Sequence, residues 1–238
     1  MNLIFLSETD FISDHHVCLK DRRHRHIVSI LKSTVGDYLN VGLLNGKIGK
    51  GKIAALSDTS IELDVECNQN PPTPIDLTLI LALPRPIIVP RIIAAVVAMG
   101  VKRIILFHSN RVEKSYWASP VLREDKLHEA SLLGLEQAGD TILPTITLHK
   151  QFKPFVEDEL KGLITNTKAF VAHPDSRSSQ PCPSNVAGPV SLVIGPEGGF
   201  IPYEIEKLKM CGCVPILLSQ RILKVETAVT ALVSKLKL

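Results

Sequence analysis

Five short runs after residue 75 are apolar without interruption: LTLILAL at 77–83, RIILFH at 103–108, AFVAH at 169–173, VSLVIG at 190–195 and CVPILLS at 213–219. Between most of them lie stretches with helical spacing of apolar residues, at 92–99, 121–137 and 203–210. Strands apolar on both faces that alternate with helices predict an α/β unit whose mostly parallel sheet is covered on both sides. Before residue 70 the rhythm differs. YLNVGLLNGKIGKGKIAAL and SIELDVE are short apolar or alternating runs broken by Asn45-Gly46, Gly49 and Gly51, the pattern of hairpins in a small β-barrel.

The two rhythms meet at CNQNPPTPIDL, 67–77, where Asn, Gln and three prolines mark a linker. The expected domains are therefore 1–70 and 75–238. Residues 1–74 carry 8 Lys/Arg against 9 Asp/Glu and residues 75–238 carry 19 against 15, so net charge names no partner. Clustering is more informative. KDRRHRH at 20–26 puts four cations and two histidines in seven positions, enough for several phosphate contacts, although a solvated helix start reads the same way. The HIVSILK that follows predicts a helix anchored to the barrel by Ile27, Ile30 and Leu31.

With 238 residues, 45% hydrophobic and 21% charged, the chain has the composition of a globular protein that buries a sizeable core. Its first thirty residues carry Glu8, Asp10, Asp14 and a basic cluster in place of a basic start followed by an apolar stretch, which argues against a secretory signal. RIIAAVVAMG at 91–100 is far short of the roughly 20 residues that cross a bilayer, so no membrane contact is expected. Five scattered cysteines suit free thiols in a reducing cytoplasm. Cys211 and Cys213 lack a second ligand pair at comparable spacing, so no metal is expected.

Two loops carry the candidate chemistry. LVIGPEGGF ends a buried run in Gly195, Pro196, Glu197, Gly198 and Gly199. In open parallel sheets ligands bind beyond the carboxyl ends of strands, and glycines there let backbone approach a ligand. Pro196 stiffens the turn, Gly198 and Gly199 can take positive φ, and Glu197 places a carboxylate at the rim. The stretch lacks the Lys-Ser/Thr of a phosphate loop and the spacing of a dinucleotide fingerprint, and a tight structural turn remains an equal reading. In the second loop, ILLSQRILKVETAVTALV, a strand ends at Leu218-Ser219, turns through Arg221 and enters a helix opened by Glu226 and Thr227. Capping and a surface ion pair are the ordinary roles of such residues.

In combination, LVIGPEGGF and LSQRILKVETA closely resemble the RsmE-type family of the SPOUT superfamily of RNA methyltransferases, which methylates N3 of a uridine in 16S ribosomal RNA. RRHRHIVSILK, AMGVKRIILFHSNR and LEQAGDTILP extend the likeness over nearly the whole chain. The resemblance implies a PUA-like β-barrel, a SPOUT domain with a deep trefoil knot, and a homodimer acting on ribosomal RNA or the small ribosomal subunit. It implies S-adenosylmethionine held by three loops, at Ala172 and His173, at 195–199, and at Leu217, Leu218, Ser219, Ile222 and Leu223, with Thr227 nearby. Arg221 is the candidate to stabilise a uracil stripped of its N3 proton; the base is unassigned between Glu197 and Glu226, and Glu226 is the second catalytic candidate. Arg22, Arg23, Arg25 and His26 are the candidate RNA contacts. His173 reads equally as a core histidine.

The chain departs from the family's pattern at three places. Leu3 stands where an arginine is usual, Asp140 where a basic residue follows the glycine, and PRPIIVPRIIAAVV where the helix normally starts with charge. The cofactor loops are untouched. A protein that binds RNA or a ribosomal partner with altered target or without transfer is the alternative these departures raise.

Overall fold

The N-terminal alternation folds into strands that put every second side chain inward. A computed structural model describes residues 2–175 and 179–238 and divides into two units, Met1–Thr73 with Leu135–Leu143, and Pro74–Gly134 with Pro144–Leu238. In the first, β1 (Ile4–Leu6), β2 (Phe11–Ser13), β3 (His16–Leu19), β4 (Tyr38–Leu43), β5 (Ile48–Leu56) and β6 (Ile61–Gln69) form one mixed sheet in the order β1-β4-β5-β6-β3-β2. β1 runs parallel to β4 and the other pairs are antiparallel. The order has two ends, so the expected barrel is a curled half-barrel. Its core gathers Ile4, Leu6, Val17, Leu19, Val41, Ile53, Ile61 and Leu63.

Between β4 and β5 the chain turns at Asn45, whose φ of 57° is the left-handed conformation Asn tolerates, and the Gly46 amide donates to the Leu43 carbonyl at 2.8 Å. The 135–143 segment is stitched to this turn. Asn45 N–H donates to Thr141 O at 2.8 Å, and Leu143 N–H donates to Asn45 Oδ1 at 2.9 Å. α1 (Arg22–His26) is capped by Asp21 and runs on as a wider π turn, Ile27–Leu31. This corrects the expected anchoring. Ile27 is buried, but Ile30 is 67% exposed and Leu31 is also exposed. The π turn rotates less per residue than an α-helix, and the left-handed Lys32 ends it before any neighbour covers that face.

In the second unit, β7 (Leu77–Ala82), β8 (Arg103–Phe107), β9 (Thr145–His149), β10 (Lys168–Ala172), β11 (Gln180–Pro181), β12 (Val190–Ile194) and β13 (Val214–Leu217) form an all-parallel sheet in the order β11-β13-β10-β12-β7-β8-β9. The helices are α2 (Val89–Ala98), α3 (Glu124–Ala138), α4 (Phe152–Pro154), α5 (Lys161–Ile164), α6 (Pro202–Met210) and α7 (Val225–Lys237), with α4 and α5 joined by a π segment, Phe155–Leu160. α3 ends in the segment assigned to the first unit. Every residue of β12 is buried, including Ser191, which accepts a 2.9 Å hydrogen bond from Thr167. That is the full two-sided cover the continuous apolar runs require. No helix among the described residues is long and apolar enough to cross a membrane.

Gly49 offers a test of the register in the first unit. A Cβ built there lies 1.8 Å from the Glu66 carbonyl oxygen and 2.7 Å from Cys67 Cα, both backbone of the paired strand. Gly49→Ala is expected to destabilise the protein by about 3 kcal/mol, measured by urea unfolding; an unchanged midpoint would contradict the β5–β6 pairing.

Candidate functional site

Three neighbouring parallel strands end at one level. Ala172, the last residue of β10, pairs with Ile194, the last of β12, and with Ile216 of β13. The chains leaving these ends therefore emerge side by side, and they enclose a slot of about 230 Å³. One wall is Ala172, His173 and Pro174, another is the 195–199 turn with Phe200, and a third is Leu217, Leu218, Ser219, Arg221, Ile222 and Leu223. The fourth comes from α7, whose Val225, Ala228 and Leu232 share a face at helical spacing. Glu226 and Thr227 do not line the slot, because one and two helical steps rotate them off that face. Every other candidate residue of the three loops does.

Each glycine of the turn answers to a different neighbour. A Cβ on Gly195 would stand 3.2 Å from the Phe200 ring. One on Gly198 would stand 3.0 Å from Arg111 Cδ and 3.2 Å from its Cβ. Gly199 has φ +71° with open space around it, and its amide closes the turn on the Pro196 carbonyl at 2.8 Å. Positive φ is found at Gly199 and not at Gly198, where the Arg111 stem stands so close that a side chain would have to push it aside. Glu197 Oε1 accepts the Arg85 amide at 2.9 Å, and the Arg111 guanidinium donates to the Gly198 carbonyl. Neither arginine follows from the turn's own sequence.

The slot is apolar with few polar groups. Burial holds His173 below its ordinary pKa of 6.5, with Asp175 opposing, so the imidazole is neutral at pH 7. Its amide donates to Ile216 O at 3.0 Å and its carbonyl accepts from Ser179 Oγ at 3.0 Å. Ser219 Oγ accepts the Arg221 amide at 3.1 Å, tightening the turn that carries the exposed Arg221 side chain.

In the first unit the basic cluster divides. Arg23 donates to Asp10 at 2.6 and 2.7 Å, to Asp21 at 2.7 Å and to the Phe5 carbonyl at 2.6 Å, so its charge is spent inside the fold. Burial would raise the Asp10 pKa, but hydrogen bonds from Arg23 and Ser7 bring it below 3.8; Asp21 is lowered chiefly by its hydrogen bond to Arg23. Arg22 reaches the buried Glu136 at 2.7 Å while remaining half exposed. His24 is buried on the Ser57 carbonyl, Arg25 is exposed, and His26 Nε2 is buried without a partner among the described residues. All five cysteines are free thiols, and burial pushes Cys213 up to about 12.

A parallel sheet with a loop-lined slot beyond three strand ends, joined to a small β unit, has counterparts among known proteins. A family model described as an RNA methyltransferase domain matches residues 71–237, and the chain belongs to that family, as a SPOUT protein of RsmE type. Ribosomal RNA small subunit methyltransferase E of Treponema pallidum is 27% identical over 97% of this chain and 88% of its own. Ribosomal RNA small subunit methyltransferase E 1 of Borreliella burgdorferi is 26% identical over 97% and 95%. A crystal structure of a ribosomal RNA small subunit methyltransferase E from Neisseria gonorrhoeae bound to S-adenosyl methionine superposes with a TM-score of 0.72 at 19% identity, covering 98% of this chain and 96% of that one.

Two outcomes test this description. Because the Asp10 and Asp21 pKa values are depressed, their contribution to stability is full above pH 3.8 and is lost as pH falls through the lower folded values. Arg23→Ala, which strands a half-buried carboxylate, is expected to cost about 3 kcal/mol at neutral pH and less near about pH 3, followed by chemical denaturation. The depressed His173 value has a separate consequence. Below pH 6.5 the unfolded chain takes up a proton that the folded chain refuses, so stability falls as the pH drops. Calorimetric melting at about pH 7.5 and about pH 5.5 should show a smaller loss for His173→Gln than for the native chain.

Proposed function

We propose that the slot binds S-adenosylmethionine and that the chain transfers its methyl group to N3 of a uridine in small-subunit ribosomal RNA. The observation that carries the reading is the convergence of three loops, at 172–174, 195–199 and 217–223, on one apolar slot edged by backbone groups. The residues fit such a group. Apolar walls at Ile194, Leu218 and Leu223 suit an adenine face, and the turn at Gly199 leaves its surroundings open. The relatives named as small-subunit ribosomal RNA methyltransferases, one crystallised with S-adenosyl methionine, support the same reading.

Bound there, the sulfonium supplies an electrophilic methyl group. The loops hold their guest in a fixed orientation, and this alignment is the largest contribution an in-line displacement asks of a protein. His173, kept neutral by burial, adds no second positive charge beside a cationic guest. Arg221, an exposed residue of the slot's third wall, would stabilise the negative charge spread onto the uracil carbonyl oxygens once the N3 proton has passed to solvent water. Arg25 and the half-exposed Arg22 offer phosphate contacts, while Arg23 serves the fold. A homodimer and a knotted C-terminal segment belong to the same reading.

Two of the departures from the family's pattern, Leu3 and Asp140, belong to the first unit, whereas the slot is built from residues of the second. Leu3 is buried, and its amide bonds the Glu136 carbonyl at 3.1 Å. Asp140 is buried and its carboxylate accepts the Ile142 amide at 2.9 Å. Both have become packing and turn residues.

The test is calorimetry with S-adenosylmethionine followed by nucleoside mass spectrometry of small-subunit RNA incubated with protein and cofactor. The native chain should bind the cofactor and form 3-methyluridine. Arg221→Ala should lower kcat about a hundredfold with cofactor affinity nearly kept. Cofactor binding with no methylated uridine in any ribosomal RNA would contradict the proposal.

A further inference from the structure

The glycine turn is held from outside by two loops that do not line the slot. The 195–199 turn has one internal hydrogen bond, from the Gly199 amide to the Pro196 carbonyl. A five-residue turn tied once keeps considerable freedom, yet it must present fixed backbone groups to any guest. The missing restraints come from the ends of β7 and β8. From beyond β7, the Arg85 amide donates to Glu197 Oε1 at 2.9 Å. From beyond β8, Arg111 donates through its guanidinium to the Gly198 carbonyl and lays its stem across the same residue, within 3.0–3.2 Å of where a Cβ would stand.

These contacts explain two features of the turn together. A side chain at position 198 would have to displace the Arg111 stem, and backbone conformation adds no demand for glycine there, since its φ is not positive. Glu197 is placed to receive a backbone amide, and that use differs from proton abstraction. A carboxylate holding an N–H in the resting protein is a brace, and a neutral amide of the same shape braces in part because it keeps the acceptor oxygen. The geometry points to Arg111 as a positioning residue for the cofactor turn, acting through the Gly198 carbonyl, and to Glu197 as its second brace rather than the general base. This inference rests on the proposed function, because it takes the slot's guest to be the cofactor.

The experiment uses the full chain and S-adenosylhomocysteine, the product form of the cofactor, with affinity read by calorimetry and methyl transfer read separately. Arg111→Ala should weaken S-adenosylhomocysteine binding roughly tenfold, the loss of one charge-assisted hydrogen bond, and raise the KM for S-adenosylmethionine in step. Its kcat at saturation should stay within about threefold, and Arg111→Lys, which restores a donor, should recover part of the affinity. Gly198→Ala, which displaces the same stem, should weaken binding in the same direction. Glu197→Ala should behave like Arg111→Ala, and Glu197→Gln should recover part of the affinity that Glu197→Ala loses, with the pH dependence of kcat keeping its shape in both. Arg123→Ala, which removes an exposed arginine paired with Asp125, is the control expected to change nothing.

An unchanged S-adenosylhomocysteine affinity in Arg111→Ala would overturn the positioning role. Loss of kcat in Glu197→Gln with affinity intact would make Glu197 the base and overturn the brace. A native chain that binds S-adenosylhomocysteine but methylates no RNA would count against the proposed function while the affinity comparison still decides this inference. A native chain that binds neither form of the cofactor would overturn both.

Discussion

The functional reading depends on the register of three parallel strands. Because Ala172 of β10 stands level with Ile194 of β12 and Ile216 of β13, the chain leaves the sheet three times within a few ångströms of one point. Parallel pairing makes this possible, since only then do neighbouring strands end on the same edge. A one-residue slip in any of the three would move its loop by one residue relative to the others and exchange the side chains packed on the sheet's two covered faces, so close packing of VSLVI and KAFVA protects the site as well as the core.

Register brings the loops together, but it does not fix their shape. That falls to contacts specific to each: the Phe200 ring against Gly195, the left-handed Gly199, and Ser219 on the Arg221 amide. The slot is therefore a place where backbone is exposed by design, with neighbours standing where side chains would otherwise project. The basic cluster follows an opposite logic. Arg23 is paired with two aspartates and a carbonyl, and such a buried network specifies how the strands and helix meet more than it attracts a ligand.

Much of this was legible in the sequence for physical reasons. Strands buried on both faces must be apolar at nearly every position, so β7, β8, β10 and β12 announce themselves, and the glycine turn is conspicuous at the end of one of them. β9 was not legible, because an edge strand reading TITLH is half exposed and lacks that signature. The same holds for β1, β2 and β3, each of 3 or 4 residues, too short for a period to register. Ile30 and Leu31 were misread because α-helical spacing was assumed where the chain widens into a π turn. Thr227 and Glu226 belong to the right motif but face away from the slot, while Val225, Ala228 and Leu232 face it; helical spacing alone would have separated the two sets. Contacts over long separations, such as Arg111 on Gly198 or Asn45 on Leu143, leave no periodic trace.

The central claim is that the tips of β10, β12 and β13 seat the methyl donor. A crystal structure of the full chain grown with S-adenosylhomocysteine tests it most directly. The adenosyl group should lie between His173, the Gly195 to Gly199 turn and Leu218, with the sulfur opening toward Arg221. Density for the ligand elsewhere on the surface, or a slot filled by the chain's own Ile222 and Leu223 with the ligand excluded, would contradict the account.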